Sequence, residues 1–575
     1  MNGTASADID LMEAGKRRAR ISPRVRGSLW ERLRNRIARM TWGTPLHAFR
    51  LRGRYPLKLL TVPEDPIRGD ATRGREMLRG TLQWKGEFQD IAACTFQEED
   101  WSPGFARYMQ SFGWLRDLAA LNNREAAAPV AEHLMRAWLI QHGDDVSDAA
   151  WRADVAGMRV LLWAAHAPLI LSSPDVVYRS AVLSALARTA RHLERASGRT
   201  SAGVSPVQGW CGVVAAGLLM PGGEARRQTG EAGLEAALAT GVLSDTGLFC
   251  RSPERLVELI NALAMLSKVY DSRGFVPEAF IVDALSRAGA ALSRLTLGDG
   301  GLCSWQGNLP APKADIDAVI RASVPQMPSG MPPLDWGYER LQQGDSILVM
   351  DVAPPSLAPA LSAGCASTLA FELSDGPHRL IVNCGGAQAG GAAVPAALSQ
   401  ALRTTAAHST LTLADSNSTA LLPDGGLGKG VTEVEVLCLD AEAGSRIDAT
   451  HDGYAKRFGL LHRRTLTLRP DGRDVRGEDV LVPTRGRKAP GVDFAVRFHL
   501  GLGVDTRMTA DHSGALLRLP DGVLWQFRCH GGDLGIEDSI WIDAEGRMHA
   551  TQQLVISGEV PAGGASVSWV LRRAG

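Results

Sequence analysis

Residues 403–413, RTTAAHSTLTL, and residues 451–468, HDGYAKRFGLLHRRTLTL, indicate the architecture of the second half of this chain. Each ends in a run in which apolar and polar residues alternate, which is typical of a β-strand with one buried face. Runs of the same kind recur from residues 346–350 to residues 567–571, with Asp-Gly and Gly-Gly turns between them. This regular succession predicts an antiparallel β-sandwich over residues 341–575.

Residues 104–300 carry a different pattern, because their apolar residues recur at steps of three and four. Turn residues such as Gly143-Asp144-Asp145 separate the segments, and no strand pattern intervenes. The predicted helices span residues 105–122, 124–142, 147–165, 175–196, 207–219, 224–240, 252–270 and 276–295. No short repeat motif is present, so we predict that the helices close into an α/α toroid over residues 61–309. The fold class is then α+β, with a proline-rich connection at residues 310–340.

Residues 1–60 form a basic N-terminal segment, in which Lys and Arg concentrate between Lys16 and Arg54. From Ser28 to Met40 the apolar residues recur at helical steps, which predicts an amphipathic helix with an arginine face. This helix either docks on the body of the protein with its charges in solvent or lies on an anionic membrane surface. Glu31 interrupts the basic face, and the apolar face is modest, which favours the first placement.

The chain has 575 residues, enough for two large domains, and its 62 basic residues balance its 62 acidic residues. This balance gives no global argument for a nucleic-acid partner, and we predict none. No apolar run reaches the roughly 18 to 20 residues that a membrane span needs. The eight cysteines are dispersed without a CxxC pair, which predicts buried, reduced thiols. No secretory signal is visible, so we expect a cytoplasmic protein, with a periplasmic or membrane-associated location as the alternative.

The candidate site lies between Arg403 and Arg464, where the histidines concentrate beside a single tyrosine, Tyr454. Tyr454 is the only tyrosine after Tyr338, although β-structure ordinarily uses tyrosine freely. Histidine, tyrosine and arginine side chains in this number suit proton transfer on an anionic substrate. The alternative is that these histidines are structural, which is the commoner role of histidine in strands and turns.

A helical half followed by a sandwich with these motifs resembles the heparinase II/III-like family of polysaccharide lyases. The sandwich motifs are residues 403–408, the HDGY turn at 451–454, His462-Arg463-Arg464 and Arg497–Leu500. A bacterial branch of unassigned substrate is similar also in the first half, at Trp42–Leu46, Gly53–Lys58, Phe112–Asp117 and Gly298–Gly300.

The resemblance implies an incomplete α/α toroid packed on an antiparallel β-sandwich, with an anionic polysaccharide or oligosaccharide bound between them. It implies β-elimination at a uronic acid, in which a base removes the C5 proton and an acid assists departure of the C4 oxygen. His408 is similar to the family's sandwich histidine, and Tyr454 to its acid or base. A tyrosine acts as a base near neutral pH only where positive charge lowers its pKa, here from Lys456, Arg457, Arg463 or Arg464. Substrate contacts in the sandwich are expected from Arg403, His451, Arg464 and His499.

The helical half departs from the family pattern. Active members supply an Asn-His or similar pair and a tyrosine there, whereas residues 205–211 and 245–253 contain neither histidine nor tyrosine. We therefore expect Gln208, Asp245 and Arg251 to contact the substrate without replacing the base. Metal-binding members place a second histidine two residues after the first, where this chain has Thr410. We predict no cofactor, with zinc as the alternative.

Three functions follow. The first is a lyase acting on a uronate-containing glycan through His408 and Tyr454. The second is a non-catalytic glycan-binding or cell-envelope protein with a degenerate lyase site, which the missing helical base favours. The third is a glycoside hydrolase, for which paired carboxylates across a cleft would be needed.

Overall fold

The structure is a computed structural model. It describes residues 16–20, 42, 44–53, 58–97, 101–146, 149–200, 203–241, 251–323, 336–356, 364–387, 394–423, 425–484 and 491–574. Helices dominate the described residues up to Ser323, and strands dominate from Tyr338 onward. The predicted α+β fold, helical first and β second, is confirmed.

In the described residues, the helical half has thirteen helices. They are α1 (Pro45–Arg50), α2 (Ala71–Leu78), α3 (Pro103–Ser111), α4 (Leu115–Ala119), α5 (Arg124–His142), α6 (Ala153–Ala165), α7 (Ala167–Ile170), α8 (Val176–Ala196), α9 (Val204–Leu219), α10 (Glu224–Gly241), α11 (Pro253–Ser272), α12 (Ala279–Ser293) and α13 (Lys313–Ser323). A short hairpin, β2 (Thr81–Trp84) with β3 (Glu87–Asp90), precedes α3. The helix predicted over 105–122 is divided into α3 and α4, because Phe112 adopts a left-handed conformation with φ of 67°.

Helices α6 and α9 form the closest pair in the helical half. Gly157 of α6 makes this approach possible, since a Cβ there would lie 2.0 Å from the carbonyl oxygen of Gln208. Both helices are buried nearly all round, which explains why their apolar residues are not confined to one stripe. Most tryptophans of this half belong to the core, including Trp114, Trp138, Trp151 and Trp163.

The second half contains two antiparallel sheets that enclose an apolar core. The first, of nine strands, has the order β1-β9-β10-β11-β12-β19-β16-β15-β14, and the second, of eight strands, has the order β17-β18-β13-β7-β6-β5-β4 with β8 paired to β13. Their bounds are β1 Lys16–Arg20, β4 Tyr338–Gln343, β5 Ser346–Asp351, β6 Phe371–Asp375, β7 His378–Val382, β8 Leu411–Leu413, β9 Glu433–Ala441, β10 Gly444–His451, β11 Leu460–Leu468, β12 Asp474–Pro483, β13 Asp493–Leu500, β14 Asp505–Met508, β15 Gly514–Arg518, β16 Leu524–His530, β17 Asp533–Ile542, β18 Met548–Glu559 and β19 Ala565–Arg573. Two short helices, α14 (Ala396–Ala401) and α15 (Ala455–Phe458), lie in the connections.

The eight-stranded sheet packs on the helical half with its outer face. Trp336, Tyr338, Ile347 and Val349 belong to the helical core, while Leu348 and Met350 belong to the sandwich core. Strand β5 is therefore buried on both faces. Its unbroken apolar run, Ile347–Met350, is the sequence signature of such a strand.

The N-terminal segment contributes an edge strand to the sandwich. Strand β1 pairs antiparallel with β9, Arg18 facing Glu435 and Arg20 facing Glu433. Arg18 lies 2.7 Å from the Glu435 carboxylate, Arg20 lies 3.2 Å from Glu433, and Arg17 bonds to Glu339. The predicted helix from Ser28 to Met40 lies outside the described residues.

The predicted connection, residues 310–340, contains helix α13, which packs against α11 and α12. Within the described part of the chain, no helix is both long and apolar enough to cross a membrane. The seven cysteines among the described residues are free thiols, and all of them except Cys438 are buried.

Candidate functional site

His408 keeps one nitrogen of its imidazole uncommitted. A 3₁₀ helix, Thr405–Ala407, ends directly before His408, whose side chain is buried. Nδ1 lies 2.7 Å from the carbonyl oxygen of Thr404, so this nitrogen carries the proton and donates it. Burial lowers the pKa of His408 to about 4, against opposing effects of Thr404 and Asp351, and the ring is neutral near pH 7. Nε2 then carries a lone pair and has no hydrogen-bond partner among the described residues.

Tyr454 lies in the core of the sandwich. Its side chain is 1% exposed and belongs to the apolar cluster between the sheets. The hydroxyl donates to the carbonyl oxygen of Leu411 at 2.9 Å. Burial raises the pKa of Tyr454 well above its usual value, so the phenolate is disfavoured. Arg463, one of the expected sources of positive charge, pairs instead with Asp448 at 2.7 Å.

His451 and His462 lie opposite each other on the neighbouring strands β10 and β11 and belong to one series of hydrogen bonds. The amide of Gly453 donates to Nδ1 of His451 at 3.0 Å, and Nε2 of His451 lies 3.3 Å from Nδ1 of His462. Nε2 of His462 lies 2.8 Å from the carboxylate of Asp479. One assignment satisfies every contact with both rings neutral: His451 donates from Nε2 to His462, and His462 donates from Nε2 to Asp479.

The carboxylate of Asp479 lies at the end of this series of hydrogen bonds. Arg464 donates to both its oxygens, at 2.7 and 3.1 Å, and Trp569 donates at 3.2 Å. Arg464 also donates to the carbonyl oxygens of Leu369 and Ser409. Burial alone would raise the pKa of Asp479, but Arg464 and His462 bring it well below its usual range. Burial lowers the pKa values of His462 and His451, which keeps both rings neutral.

Both ring nitrogens of His499 also have hydrogen-bond partners. Nε2 donates to the carbonyl oxygen of Ala406 at 2.9 Å, and Nδ1 accepts from the hydroxyl of Ser539 at 2.7 Å. Burial lowers the pKa of His499 to about 3. Its backbone amide bonds to Ser409, which ties β13 to the segment that carries His408.

Arg403 is buried and holds loops together. Its guanidinium donates to the carbonyl oxygens of Gly364 and Gly426 and to the side chain of Gln400. Arg403, His451, Arg464 and His499 thus have structural partners in the folded chain, and their predicted contacts with a substrate stay predictions.

The three candidates of the helical half fall in different places. Gln208 is buried within α9, at its approach to Gly157. Asp245 lies outside the described residues. Arg251 directly precedes α11 and reaches into the sandwich, where it pairs with Asp351 and donates to carbonyl oxygens including those of Trp336, Gly337 and Ala353.

The sequence reading missed Asp479 and Asp351, the two carboxylates that organise these contacts. Asp479 occupies an inward-facing position of β12, in line with buried Val475 and Leu481. A carboxylate on the apolar face of a strand needs a cationic partner, which is the signal that could have identified it. Asp351 ends the apolar run of β5 and carried no such signal.

The donor geometry does not fit a bound zinc ion. His451, His462 and His499 use both ring nitrogens on protein partners. Thr410 stands at the usual position of a second histidine, and its buried hydroxyl has no hydrogen-bond partner among the described residues. No group of three His, Cys, Asp or Glu side chains in the described ranges is placed to hold a metal ion.

Comparisons with known proteins show which families and structures this chain is similar to. Residues 329–570 match the family described as heparinase II/III-like, C-terminal. The chain is 29% identical to the FtsZ-localized protein C of Caulobacter vibrioides, covering 96% of this chain and 97% of that protein. Heparinase III superposes with a TM-score of 0.67 at 12% identity, covering 96% of this chain and 93% of that one. A mutant of the heparan sulfate lyase HepC from Pedobacter heparinus gives a TM-score of 0.60 at 14% identity, with 96% and 92% covered. At such identities the likeness to these lyases shows the fold alone.

Proposed function

We propose that this chain, whose residues 329–570 match the heparinase II/III-like C-terminal family, is a cell-envelope protein that has kept the lyase fold and an affinity for anionic glycans without the lyase reaction. The observation that carries this proposal is the hydroxyl of Tyr454, which is buried and bonded to Leu411. A general acid or base must reach the atom whose proton it transfers. Tyr454, the predicted catalytic partner of His408, does not meet this requirement.

Turnover and affinity test this proposal when they are measured on the same polymers. The chain would be incubated with heparan sulfate, chondroitin sulfate, alginate and polygalacturonate, and the ultraviolet absorbance of unsaturated uronates followed. Affinity gel electrophoresis with each polymer would report binding. We expect retardation by at least one polymer and no rise in absorbance. A rise in absorbance, or the absence of retardation by every polymer, would contradict the proposal.

The full-length relative suggests where such a protein works. Its name describes localization with FtsZ, and its alignment covers nearly all of both chains. We propose the same association for this chain. A fluorescent fusion expressed with labelled FtsZ is expected to form bands that coincide with the FtsZ ring, and a uniformly distributed signal would contradict the association.

We place the protein in the cytoplasm, at the inner face of the envelope. Seven described cysteines are unpaired, in accord with a reducing compartment. Fusions to alkaline phosphatase are expected to be inactive and fusions to green fluorescent protein to be fluorescent. The opposite pattern would place the chain in the periplasm, which is the alternative location.

Catalysis by His408 is the second candidate function. Its neutral ring and the free lone pair on Nε2 are what a general base requires. In this case His408 removes the C5 proton of a uronate, and a group other than Tyr454 supplies the acid. The expected result is uronate cleavage that is lost in His408→Ala and retained in Tyr454→Phe.

A further inference from the structure

A groove on the helical half has apolar walls and a basic rim. It lies between residues 58–62, the start of α5, helix α7 and the first turns of α8, and its volume is about 580 Å³. Ligand sites in proteins commonly have volumes of roughly 300 to 1,000 Å³. The apolar walls come from Leu59, Val62, Pro168, Leu171, Val176 and Leu183.

Hydrogen bonds hold the walls of the groove in place. The amide of Leu60 donates to the carbonyl oxygen of Leu219, at the end of α9, at 2.9 Å. The hydroxyls of Thr61 and Ser272 lie 3.1 Å apart. On the opposite wall Asp175 caps α8 by accepting from the amides of Val177 and Tyr178. The groove is therefore preorganised, although Val176 remains 65% exposed and Val62 remains 48% exposed.

Three cations line the groove without a carboxylate beside them. They are Lys58, Arg124 and Arg179, none of which has an ion pair within the described ranges. No acidic side chain is among the described residues that line the groove. The neighbouring Asp175 is bound to Arg136 at 2.8 Å, so part of its charge is already compensated. The groove consequently presents positive charge around an apolar floor.

We propose that this groove docks a peptide segment of a partner protein in which an aliphatic side chain is flanked by aspartate or glutamate. The aliphatic side chain would enter between Val62, Leu171 and Val176, and the carboxylates would pair with the three cations. A sugar fits less well, since pyranose rings often stack on aromatic faces and none of the described lining residues is aromatic. The proposal concerns a surface of the helical half and stands independently of the proposed function.

A random dodecapeptide library displayed on phage is the probe. It would be selected on the immobilised full-length chain and counter-selected on the variant Arg124→Glu with Arg179→Glu. Both positions lie in the first turn of a helix, where a carboxylate is favourable to the helix dipole, so this variant keeps the fold. We expect the enriched peptides to combine aliphatic with acidic residues.

Fluorescence polarisation with a labelled enriched peptide then measures affinity. We expect a loss of about tenfold or more for the double charge reversal and of about threefold for Val176→Ser. Two matched controls are expected to bind as the wild type does. Val177→Ser changes the neighbouring valine, which is 79% exposed and lies outside the groove, and Lys429→Glu with Arg469→Glu reverses two exposed charges on the sandwich.

Several results would overturn the proposal. These are the absence of enriched acidic-aliphatic peptides, and enriched peptides whose affinity is unchanged in the charge-reversed variant. Phosphatidylglycerol vesicles and a uronate hexasaccharide serve as competing probes. Binding of either probe that is lost in the charge-reversed variant, with no peptide enriched, would assign the groove to a membrane or to a glycan instead.

Discussion

At the scale of single residues, the sandwich is organised by buried charge. Asp479 and Arg464 are both fully buried and form a bidentate pair, and His462 and Trp569 complete the bonds of the carboxylate. A buried ion pair of this kind contributes little relative to an apolar pair, but removal of one partner strands the other charge. His451 and His462 thereby have structural partners, and the predicted contact of His451 with a substrate stays a prediction.

The substitution Asp479→Asn is expected to lower the free energy of unfolding by about 3 to 5 kcal/mol, because it leaves Arg464 buried without its counter-charge. Urea denaturation followed by tryptophan fluorescence measures this difference. Asp448→Asn is the matched control, since Asp448 pairs with the half-exposed Arg463 and its loss is expected to cost less than about 1 kcal/mol. Equal losses for the two variants would refute the central role of Asp479.

The buried histidines predict how stability depends on pH. The folded-state pKa of His499 is about 3, below the unfolded value near 6.5. Its contribution to stability is therefore complete above pH 6.5 and is lost as the pH falls toward 3, by about 1.4 kcal/mol per pH unit. His408 acts in the same direction down to about pH 4.

Urea denaturation at pH 7, 5.5 and 4 tests this dependence. The variant His499→Asn is expected to lose less stability between pH 6 and pH 4 than the wild type does, because one titrating group has been removed. The exposed His512 supplies the control His512→Asn, which is expected to keep the wild-type slope. Identical slopes for all three proteins would show that His499 is not buried as a neutral ring.

At the scale of elements, periodicity predicted most helices and strands, and it missed those that depend on distant partners. Strand β1, KRRAR, has no alternation to reveal it, and only pairing with the acidic edge of β9 makes it a strand. Arg17, Arg18 and Arg20 of this strand each form an ion pair with a carboxylate. Contact with a membrane through residues 16–54 remains a prediction for the other basic residues of this segment.

The substitutions Arg18→Glu and Arg20→Glu are expected to release β1, because they place like charges opposite Glu435 and Glu433. Hydrogen exchange monitored by mass spectrometry would then show faster exchange of the β9 amides that bond to β1. Lys16→Glu is the control, since Lys16 has no ion pair among the described residues. Unchanged exchange in the double variant would contradict this pairing.

At the scale of the whole molecule, several arginines link the two halves, and Arg251 is the one that reaches from the helical half to the sandwich. Arg251 leaves the helical half, pairs with Asp351 and lies over the ring of Tyr338 at 4.6 Å, while the hydroxyl of Tyr338 donates back to the carbonyl oxygen of Arg251. Arg251 was expected to contact the substrate because it lies in the segment, residues 245–253, where active members of the similar family supply site residues. Its partners could be read only from the folded chain.

Replacement of Arg251 by Gln is expected to weaken the contact between the halves and to lower the free energy of unfolding by about 3 to 5 kcal/mol, because Asp351 remains buried. Differential scanning calorimetry is expected to show a lower transition temperature and a broader or divided transition. Arg287→Gln, which removes a pair with Asp283 within α12, is the control and is expected to leave the transition nearly unchanged. A wild-type transition for Arg251→Gln would contradict the link.

The α+β fold, the order of its halves and the position of His408 on the sandwich could be predicted from the sequence. The burial and the hydrogen bonds of each candidate site residue could not be predicted, because a tyrosine on a turn gives the same sequence signal whether it lies in the core or at a cleft. Burial and the bond to Leu411 distinguish these alternatives for Tyr454. Tyr454 belongs to the core of the sandwich, and its role as an acid or base stays a prediction.

The most direct test of this account is the rate at which the wild-type chain forms unsaturated uronates from a panel of anionic polysaccharides, compared with His408→Ala under the same conditions. The account predicts no absorbance change above the buffer blank for either protein. Cleavage by the wild type that disappears in His408→Ala would contradict it and would establish the lyase reaction.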